Sequence, residues 1–333
     1  MLYNPKPDTV PPGTPDDAFE EYDRAATISA IARAIEALDI SVEAVVADRQ
    51  LAQRLGDGGF DMAFNIAEGT GRRCRAAVPA AVCELLGIPS TGSDALTLAL
   101  TLDKAAARRM VSPDVPVARA VLVECPGDEA ALDGLRYPAI VKPVDEGSSK
   151  GIHEDAYVET AARAAARSRW LHARYGCPAL VEEYLPGAEV TVGIRGNGAQ
   201  AAIIDSMEIE PAAGGEPFVY SLTIKRDWRW RVRYHVPARL TADARSALES
   251  FALTAYRLLG CRDIARLDFR LDATGTPTFI ECNALPGLDP DNSDLVMLAA
   301  PVCGYSALVQ GILIDAAARA GLRVPTLAGA ARP

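Results

Sequence analysis

Mixed α/β and α+β architecture in three lobes is what this sequence of 333 residues predicts, on three observations. Strand and helix signals alternate over residues 1–90, the mark of a small α/β unit. From Val117 the pattern turns strand-rich. In the second half, Arg266–Gly287 reads as a β-hairpin carrying one charged cluster. A chain of this length can build lobes with cores of their own and clefts between them. The lobes are drawn at 1–104, 105–195 and 196–333.

Leu2-Tyr3 opens the first lobe, followed by a helix near Asp23–Leu38, strands around Val42–Val46 and Met62–Ile66, and a helix at Ala76–Leu86. Met62–Gly69 ends a buried strand on a polar turn, where ligands of open α/β sheets sit. Ser93 or Asp94 caps a helix whose apolar residues run to Leu102, with Asp103 and Lys104 behind it. Strands follow at Val117–Val123 and Ala139–Val144, the second with Lys142 inside an apolar run, where a lysine needs an anion. Asp145–Gly151 is a glycine- and serine-rich loop whose N–H groups and hydroxyls can cradle phosphate oxygens. It is no Walker loop, because G-x-x-x-x-G-K-[ST] is missing.

A helix at Thr160–Arg174 leads to Leu180–Leu185, then to the strand Glu189–Ile194 and the strand Ala201–Glu208. Pro211–Lys225 is rich in small residues and reads as a mobile loop. Asp227–Val236 interleaves arginine with Trp228, Trp230 and Tyr234. A stacking platform for single-stranded RNA has that composition. Plain alternation explains it as a strand with one aromatic and one basic face. A helix at Thr241–Leu259 precedes the hairpin, and the polar loop Gly287–Asp294 and a helix at Tyr305–Gly321 follow it.

A net charge of -10 argues against a general nucleic-acid binder, since phosphate affinity needs a basic surface. No basic region followed by an apolar core opens the chain, so no signal peptide is expected. No apolar run reaches about 18 residues, so no membrane span is expected. Seven cysteines without a C-x-x-C pair read as reduced thiols of a cytoplasmic protein. The three histidines stand at unrelated positions, which leaves lysine, arginine, carboxylates and metal to carry catalysis.

In the hairpin, Leu267, Phe269 and Leu271 alternate with Arg266, Asp268 and Arg270. After a turn at Asp272–Thr276, Thr278, Ile280 and Cys282 alternate with Phe279, Glu281 and Asn283, so period-two geometry puts Glu281 and Asn283 on one face, opposite Asp268. Two carboxylates and an amide oxygen are the hard ligands that Mg²⁺ takes when substrate phosphates also hold it. Arg266 shares the face and can neutralise developing phosphoryl charge.

R-x-D, a turn, E-x-N and then A-L-P-G resembles the metal-binding signature of the ATP-grasp superfamily, most closely its D-alanine:D-alanine ligase branch. The resemblance runs from Met62 to Ala320 with the motifs in the family's order. It implies an ATP-grasp fold with ATP between the central and C-terminal lobes, two Mg²⁺ ions on Asp268, Glu281 and Asn283, and Arg266 as the charge stabiliser. On the same grounds Lys104, Lys142, Glu146, Ser148, Ser149 and Lys225 would meet the nucleotide phosphates, Ser148 and Lys225 with catalytic duties. Glu182, Glu183, Tyr184 and Leu185 would line the base and Glu189 the ribose. Gly287 and Ser293 would meet the acceptor. Glu21, with Asp23 as rival, would anchor the first substrate's amine.

The implied reaction joins a small carboxylate to an amine through an acyl phosphate, in a cytoplasmic homodimer with no nucleic-acid or membrane partner. Departures from the family pattern bear on the substrate. Glu68 stands for a histidine, Gly71–Arg75 for an acidic glycine turn and Arg226 for an aromatic residue, and the loop at Leu288–Asp294 is about one residue longer. From these, substrates other than two D-alanines are expected, with Glu68, Arg72, Arg75 and Arg226 as substrate contacts and the arginines pairing with an extra carboxylate. A D-alanine:D-alanine ligase, an ATP-grasp kinase and a nucleotide-binding protein without turnover stay open beside that reading.

Overall fold

The computed structural model describes residues 1–214 and 217–325. Gly215 and Glu216, within the expected mobile loop, lie outside the described residues. The first lobe pairs β1 (Leu2–Tyr3) in parallel with β2 (Val45–Val46), and α1 (Ala25–Glu36) lies between them in sequence. The expected strand at Met62–Ile66 is an extended segment bridged only at single points. Phe64 O accepts from Leu2 N at 2.8 Å, and Ala63 bridges Ser90. α2 (Leu51–Gly58) and α3 (Ala77–Leu85) complete this lobe.

Asp94 caps α4 (Ala95–Leu102) by accepting from Thr97 N at 2.9 Å. The chain does not pass straight on to strands. Asp103 accepts from Ala106 N at 2.9 Å and caps a second helix, α5 (Lys104–Val111), so Lys104 is a first-turn residue rather than the end of a helix. β3 (Ala120–Val123), β4 (Ala139–Pro143), β5 (Tyr157–Val158) and β6 (Ala179–Glu183) then form an antiparallel sheet in the order β3-β6-β4-β5. α6 (Ala161–Tyr175) covers it, capped by Thr160 and stopped by Gly176 at φ 63°.

The strand assigned from sequence to the end of the central lobe, β7 (Glu189–Arg195), pairs elsewhere. It sits inside a five-stranded antiparallel sheet with β8 (Ala202–Pro211), β9 (Val232–His235), β10 (Ile264–Leu271) and β11 (Pro277–Asn283), in the order β11-β10-β7-β8-β9. Its fully buried Val190, Val192 and Ile194 pack with Leu267 and Phe269 of β10. The stretch read as one strand at Asp227–Val236 is half helix. α7 (Leu222–Arg226) and α8 (Trp228–Arg231) precede the four residues of β9. Ser221 caps α7, a local signal that outweighs alternation.

α9 (Ala242–Leu258) joins α4 and α5 over one face of the large sheet. α10 (Asp294–Ala299) and α11 (Tyr305–Arg319) close the other side together with α1. Between β10 and β11, Asp268 faces Glu281 while Phe269 faces Phe279, so Ile280 is an extra residue, a β-bulge. The bulge resets the simple alternation. Phe279 and Cys282 both enter the core, and Glu281 and Asn283 face Asp268 and Arg266.

Asp263, at φ 62° and fully buried, fastens the lobes together. Its carboxylate accepts from Gly92 N at 2.9 Å, Asn197 Nδ2 at 2.7 Å and Arg319 Nη2 at 2.7 Å. Removing it leaves the buried Gly92 N–H without an acceptor and takes one acceptor each from Asn197 and Arg319. Replacing Asp263 by Ala is expected to lower unfolding stability by about 2 kcal/mol. Urea unfolding checks this, and a loss under about 1 kcal/mol would show that the three contacts are not a structural tie.

Candidate active site

A continuous cleft runs between the four-stranded and five-stranded sheets, in three adjoining regions. The innermost holds about 90 Å³ and is walled by Ile140, Ile152, Val219, Tyr220 and Ile280, with the strand end Glu182–Leu185 along one side. Those residues lie where β6 leaves its sheet, so main-chain groups there run out of strand partners. Two amides are already used: Glu183 N donates to Arg119 O and Tyr184 N to Pro138 O. The carboxylate of Glu182 is used as well. It takes Lys142 Nζ at 2.5 Å and Arg108 Nη1 at 2.9 Å, which answers the anion that Lys142 required. Burial alone would raise this carboxyl, but the two cations hold it below the ordinary carboxylate range. Glu183 turns outward to Arg136 at 2.7 Å. Glu189 is pushed up to about 7 by burial, with Arg270 at 3.5 Å only partly opposing it.

In the middle region, about 80 Å³, the hairpin cluster meets the glycine-serine loop. Arg266 grips Asp268 through Nε at 3.0 Å and Nη2 at 2.8 Å, and Thr191 Oγ1 donates to Asp268 Oδ1 at 2.6 Å. Asn283 Nδ2 donates to Asp268 Oδ2 at 3.1 Å, which leaves the Asn283 amide oxygen as its ligating atom. Glu281 lies 3.2 Å from Lys104 Nζ. Burial opposes its charge, yet Lys104, Lys142 and Arg266 draw its carboxyl down to about 2. The donor set is therefore two carboxylates and an amide oxygen, which suits Mg²⁺. Among the described residues no group of three or more His, Cys, Asp or Glu side chains is gathered as a metal cage. Such a sparse protein set is what a metal shared with phosphates needs.

Ser148 and Ser149 hold left-handed backbone at φ 50° and 58°, which folds the loop over this region, and Ser149 Oγ donates to Tyr220 O at 3.0 Å. Its underside is fixed by Glu21. That carboxylate accepts from Gly147 N at 3.0 Å, from Lys150 Nζ at 3.0 Å and from Arg75 Nη2 at 2.8 Å. A Cβ on Gly147 would fall 2.3 Å from Glu21 Oε1, so a side chain there would push the Glu21 carboxylate aside. Glu146 accepts from Lys150 and lies 3.1 Å from Arg75, and its carbonyl accepts from Lys104 Nζ. Glu21 is thus engaged by the loop.

The outer region is a cavity of about 380 Å³ between α1, the 287–294 loop, α7 and the glycine-serine loop. Ser148, Lys225, Arg266 and Asp294 line both it and the middle region. Gly287 and Ser293 are on its wall, Ser293 Oγ donating to Gly287 O. Arg226 reaches the rim but is paired with Asp16 at 3.0 Å and Glu20 at 2.5 Å. Arg75 is buried under Glu21 and Glu146, and Arg72 binds Gly176 O on the outside of α6 without lining the cavity. The three arginines expected to receive a substrate carboxylate therefore do not offer a free guanidinium. Glu68 and Asp23 do face the cavity. Burial, reinforced by Glu21, pushes the Glu68 carboxyl well up, and burial with Asp289 pushes Asp23 up to about 7.

Several participants were missed from sequence. Arg108 lies on α5, a helix not expected. Lys150 ends the loop motif itself and was left without a role. Asp289 and Asp294 belong to the aspartate-rich 287–294 loop, where composition was the only signal. Asp294 Oδ2 lies 3.2 Å from Arg266 Nη1 and 3.8 Å from Lys225 Nζ.

A family model described as D-ala D-ala ligase C-terminus matches residues 119–314. The uncharacterized protein y4sG of Sinorhizobium fredii is 32% identical over 266 residues, 76% of this chain and 73% of that one. D-alanine–D-alanine ligase of Polaromonas naphthalenivorans is 34% identical over 276 residues, 80% of this chain and 81% of its own. Among solved structures, D-alanine–D-alanine ligase from Bacillus anthracis complexed with ATP superposes with a TM-score of 0.72 at 18% identity, covering 96% of each chain. At that identity the likeness is one of fold.

Asp23 gives a pH prediction. Its folded pKa is raised from 3.8, so the folded state holds a proton that the unfolded state has released. Its contribution is complete below about pH 4 and is lost as pH rises to about 7. Asp23→Asn should therefore match wild type in stability at pH 4 and exceed it by a margin that grows to about pH 7 and then stays constant. A margin on the order of 2 kcal/mol is expected, about half of the full shift because the carboxyl lines an open cavity. Denaturant unfolding from pH 4 to 8 checks it, and a margin independent of pH would contradict the assignment.

Proposed function

The chain belongs to the D-alanine–D-alanine ligase family of ATP-grasp proteins, and on that premise we propose that it joins a small carboxylic acid to an amine by way of an acyl phosphate. It is an ATP-dependent, ADP-forming carbon–nitrogen ligase that works with Mg²⁺. The observation that carries the reading is a run of shared walls: Lys142 and Glu189 line both the slot and the middle region, and Ser148, Lys225 and Arg266 line both the middle region and the outer cavity. A base-sized apolar slot, a charged phosphate region and a substrate cavity are joined through the residues that can serve phosphoryl transfer.

The nucleotide base fits the slot beside Glu182–Leu185, with the ribose toward Glu189. Asp268, Glu281 and Asn283 would hold Mg²⁺, which spreads the negative charge of the phosphates. Lys142, Lys104 and Lys225 bring fixed positive charge to the same region and add to that neutralisation. A donor carboxylate oxygen attacks the γ-phosphorus, the bond to ADP breaks, and an acyl phosphate forms. The amine lone pair then attacks the acyl carbon, the amine loses its proton, and phosphate leaves. Arg266, at the border of the phosphate region and the cavity, stabilises oxyanion charge in both steps.

The donor's ammonium is assigned to Asp23 rather than Glu21, since Glu21 already carries Arg75, Lys150 and Gly147. Gly287 and Ser293 take the acceptor end. The segment from Pro211 to Lys225 serves as a lid on the strength of Lys225, which α7 holds beside Asp294. A cytoplasmic homodimer belongs to the same reading, on the family pattern.

Glu281→Gln keeps the shape of the hairpin and removes one metal-binding charge. ADP formation should fall at least a hundredfold while the folded state persists, because Mg²⁺ loses a charged ligand and Lys104 its carboxylate partner. Wild-type ADP formation in that variant would sink the assignment of the cluster. A second reading, D-alanine–D-alanine ligation itself, is favoured by the names of the relatives. The departures at Glu68, at 71–75 and in the longer 287–294 loop favour another substrate pair. Kinetics with D-alanine alone against a panel of acids and amines separates the two: the specificity constant for D-alanine alone should not be the highest.

A further inference from the structure

The outer cavity has an unbalanced set of charges. Each cation on its wall is already answered by an acid: Lys6 by Glu20, Arg24 by Asp289, Arg226 by Glu20 and Asp16, and Arg266 and Lys225 by Asp294. Two of its acids are not answered. Among the described residues neither the Asp23 nor the Glu68 carboxylate has a hydrogen-bond or ion-pair partner, although both residues line the cavity. A third atom behaves the same way: Asp294 is buried, and its Oδ1 has no hydrogen-bond partner. Charged groups left unpaired in a half-buried site cost free energy until a ligand supplies the opposite charge.

Chain connectivity places the two free acids side by side. Asp23 stands two residues before α1, and its N–H donates to Asn4 O at 2.9 Å. Asn4 Oδ1 in turn accepts from Gly69 N at 2.7 Å, which fixes the turn carrying Glu68. Tyr22 Oη donates to Gly69 O at 3.1 Å and ties the same two segments. The neighbouring Asp23 charge raises the affinity of Glu68 for a proton or, equally, for an ammonium group. A donor with a single ammonium would cover Asp23 and leave Glu68 bare.

Resting on the ligase reading above, we propose that the donor is an amino acid with a second cationic group, whose α-ammonium sits at Asp23 and whose side-chain ammonium or guanidinium sits at Glu68. The cavity of about 380 Å³ has room for such a side chain. A donor with an extra carboxylate finds no free cation in it. Glu68 is thereby a specificity-determining residue for the donor, discriminating by charge rather than by shape.

The test uses the full-length enzyme with ATP and Mg²⁺, and hydroxylamine as the amine that captures the acyl phosphate. ADP release is measured with lysine, ornithine and 2,4-diaminobutyrate, each in both configurations, against the neutral counterparts norleucine, norvaline and 2-aminobutyrate. The best basic donor should exceed its neutral counterpart at least tenfold in kcat/KM. Glu68→Gln should shrink that ratio at least fivefold through KM, with kcat little changed. Equal or better turnover of the neutral acids, or a ratio that Glu68→Gln does not move, overturns the proposal. Calorimetric binding of the same acids without nucleotide is read in parallel. If no acid gives ADP, the ligase reading fails, and the binding ratio alone then decides this proposal: tighter binding of the diamino acids, lost in Glu68→Gln, upholds it, and equal binding overturns it.

Discussion

Ile280 has no partner across the hairpin, and the position of every charge in the middle of the cleft depends on that. Without the bulge, period-two geometry would put Phe279 on the same face as Glu281 and Asn283. One of the two needs would fail: either the aromatic ring would leave the core or the carboxylate would enter it. The extra residue lets Phe279 lie fully buried against Phe269 while Glu281 stays opposite Asp268. Ile280 itself is turned to the cleft and forms part of the apolar slot. One irregularity of the ladder thus serves the core, the charged cluster and the slot at once.

The charges themselves are arranged by the cost of desolvation. Glu182, Lys142 and Arg108 are all buried, and each would be expensive to hold there alone. Together they offset one another at the edge of the slot. The same logic holds Glu21 between Arg75 and Lys150 beneath the glycine-serine loop, so the loop is positioned by ionic contacts from the first lobe rather than by its own sequence. A phosphate arriving in the middle region meets fixed cations and donors, which is how preorganised sites avoid reorganisation during reaction. Where the pattern breaks, at Asp23 and Glu68, the missing charge belongs to a ligand.

Local signals in the sequence were read well and non-local ones poorly. The alternation of β10, the turn at Asp272, which accepts from Thr274 N and Thr276 N, and the need of Lys142 for an anion are all contained within a few residues. Asp94 as a helix cap was one of two candidates, and the geometry chose between neighbours. The bulge was not legible, because nothing in TFIECN distinguishes an extra residue from a regular one. β7 was given to the wrong sheet because its hydrophobic run says that it is buried and not with what. The arginines at 72, 75 and 226 looked like free substrate ligands since their partners, the Gly176 carbonyl for Arg72, Glu21 and Glu146 for Arg75, and Asp16 and Glu20 for Arg226, are scattered along the chain. α8 was hidden by alternation, which four residues of Trp-Arg-Trp-Arg cannot separate from a helical turn.

The central claim is that the cleft activates a carboxylate by phosphorylation and then passes the acyl group to an amine. The measurement that tests it most directly is the fate of oxygen. With a donor acid labelled with ¹⁸O in its carboxylate, one labelled oxygen should appear in the inorganic phosphate released for each amide formed, because the bridging oxygen of the acyl phosphate departs with phosphorus. ADP accompanied by unlabelled phosphate would mean that water, not the carboxylate, attacks ATP, and would contradict the account.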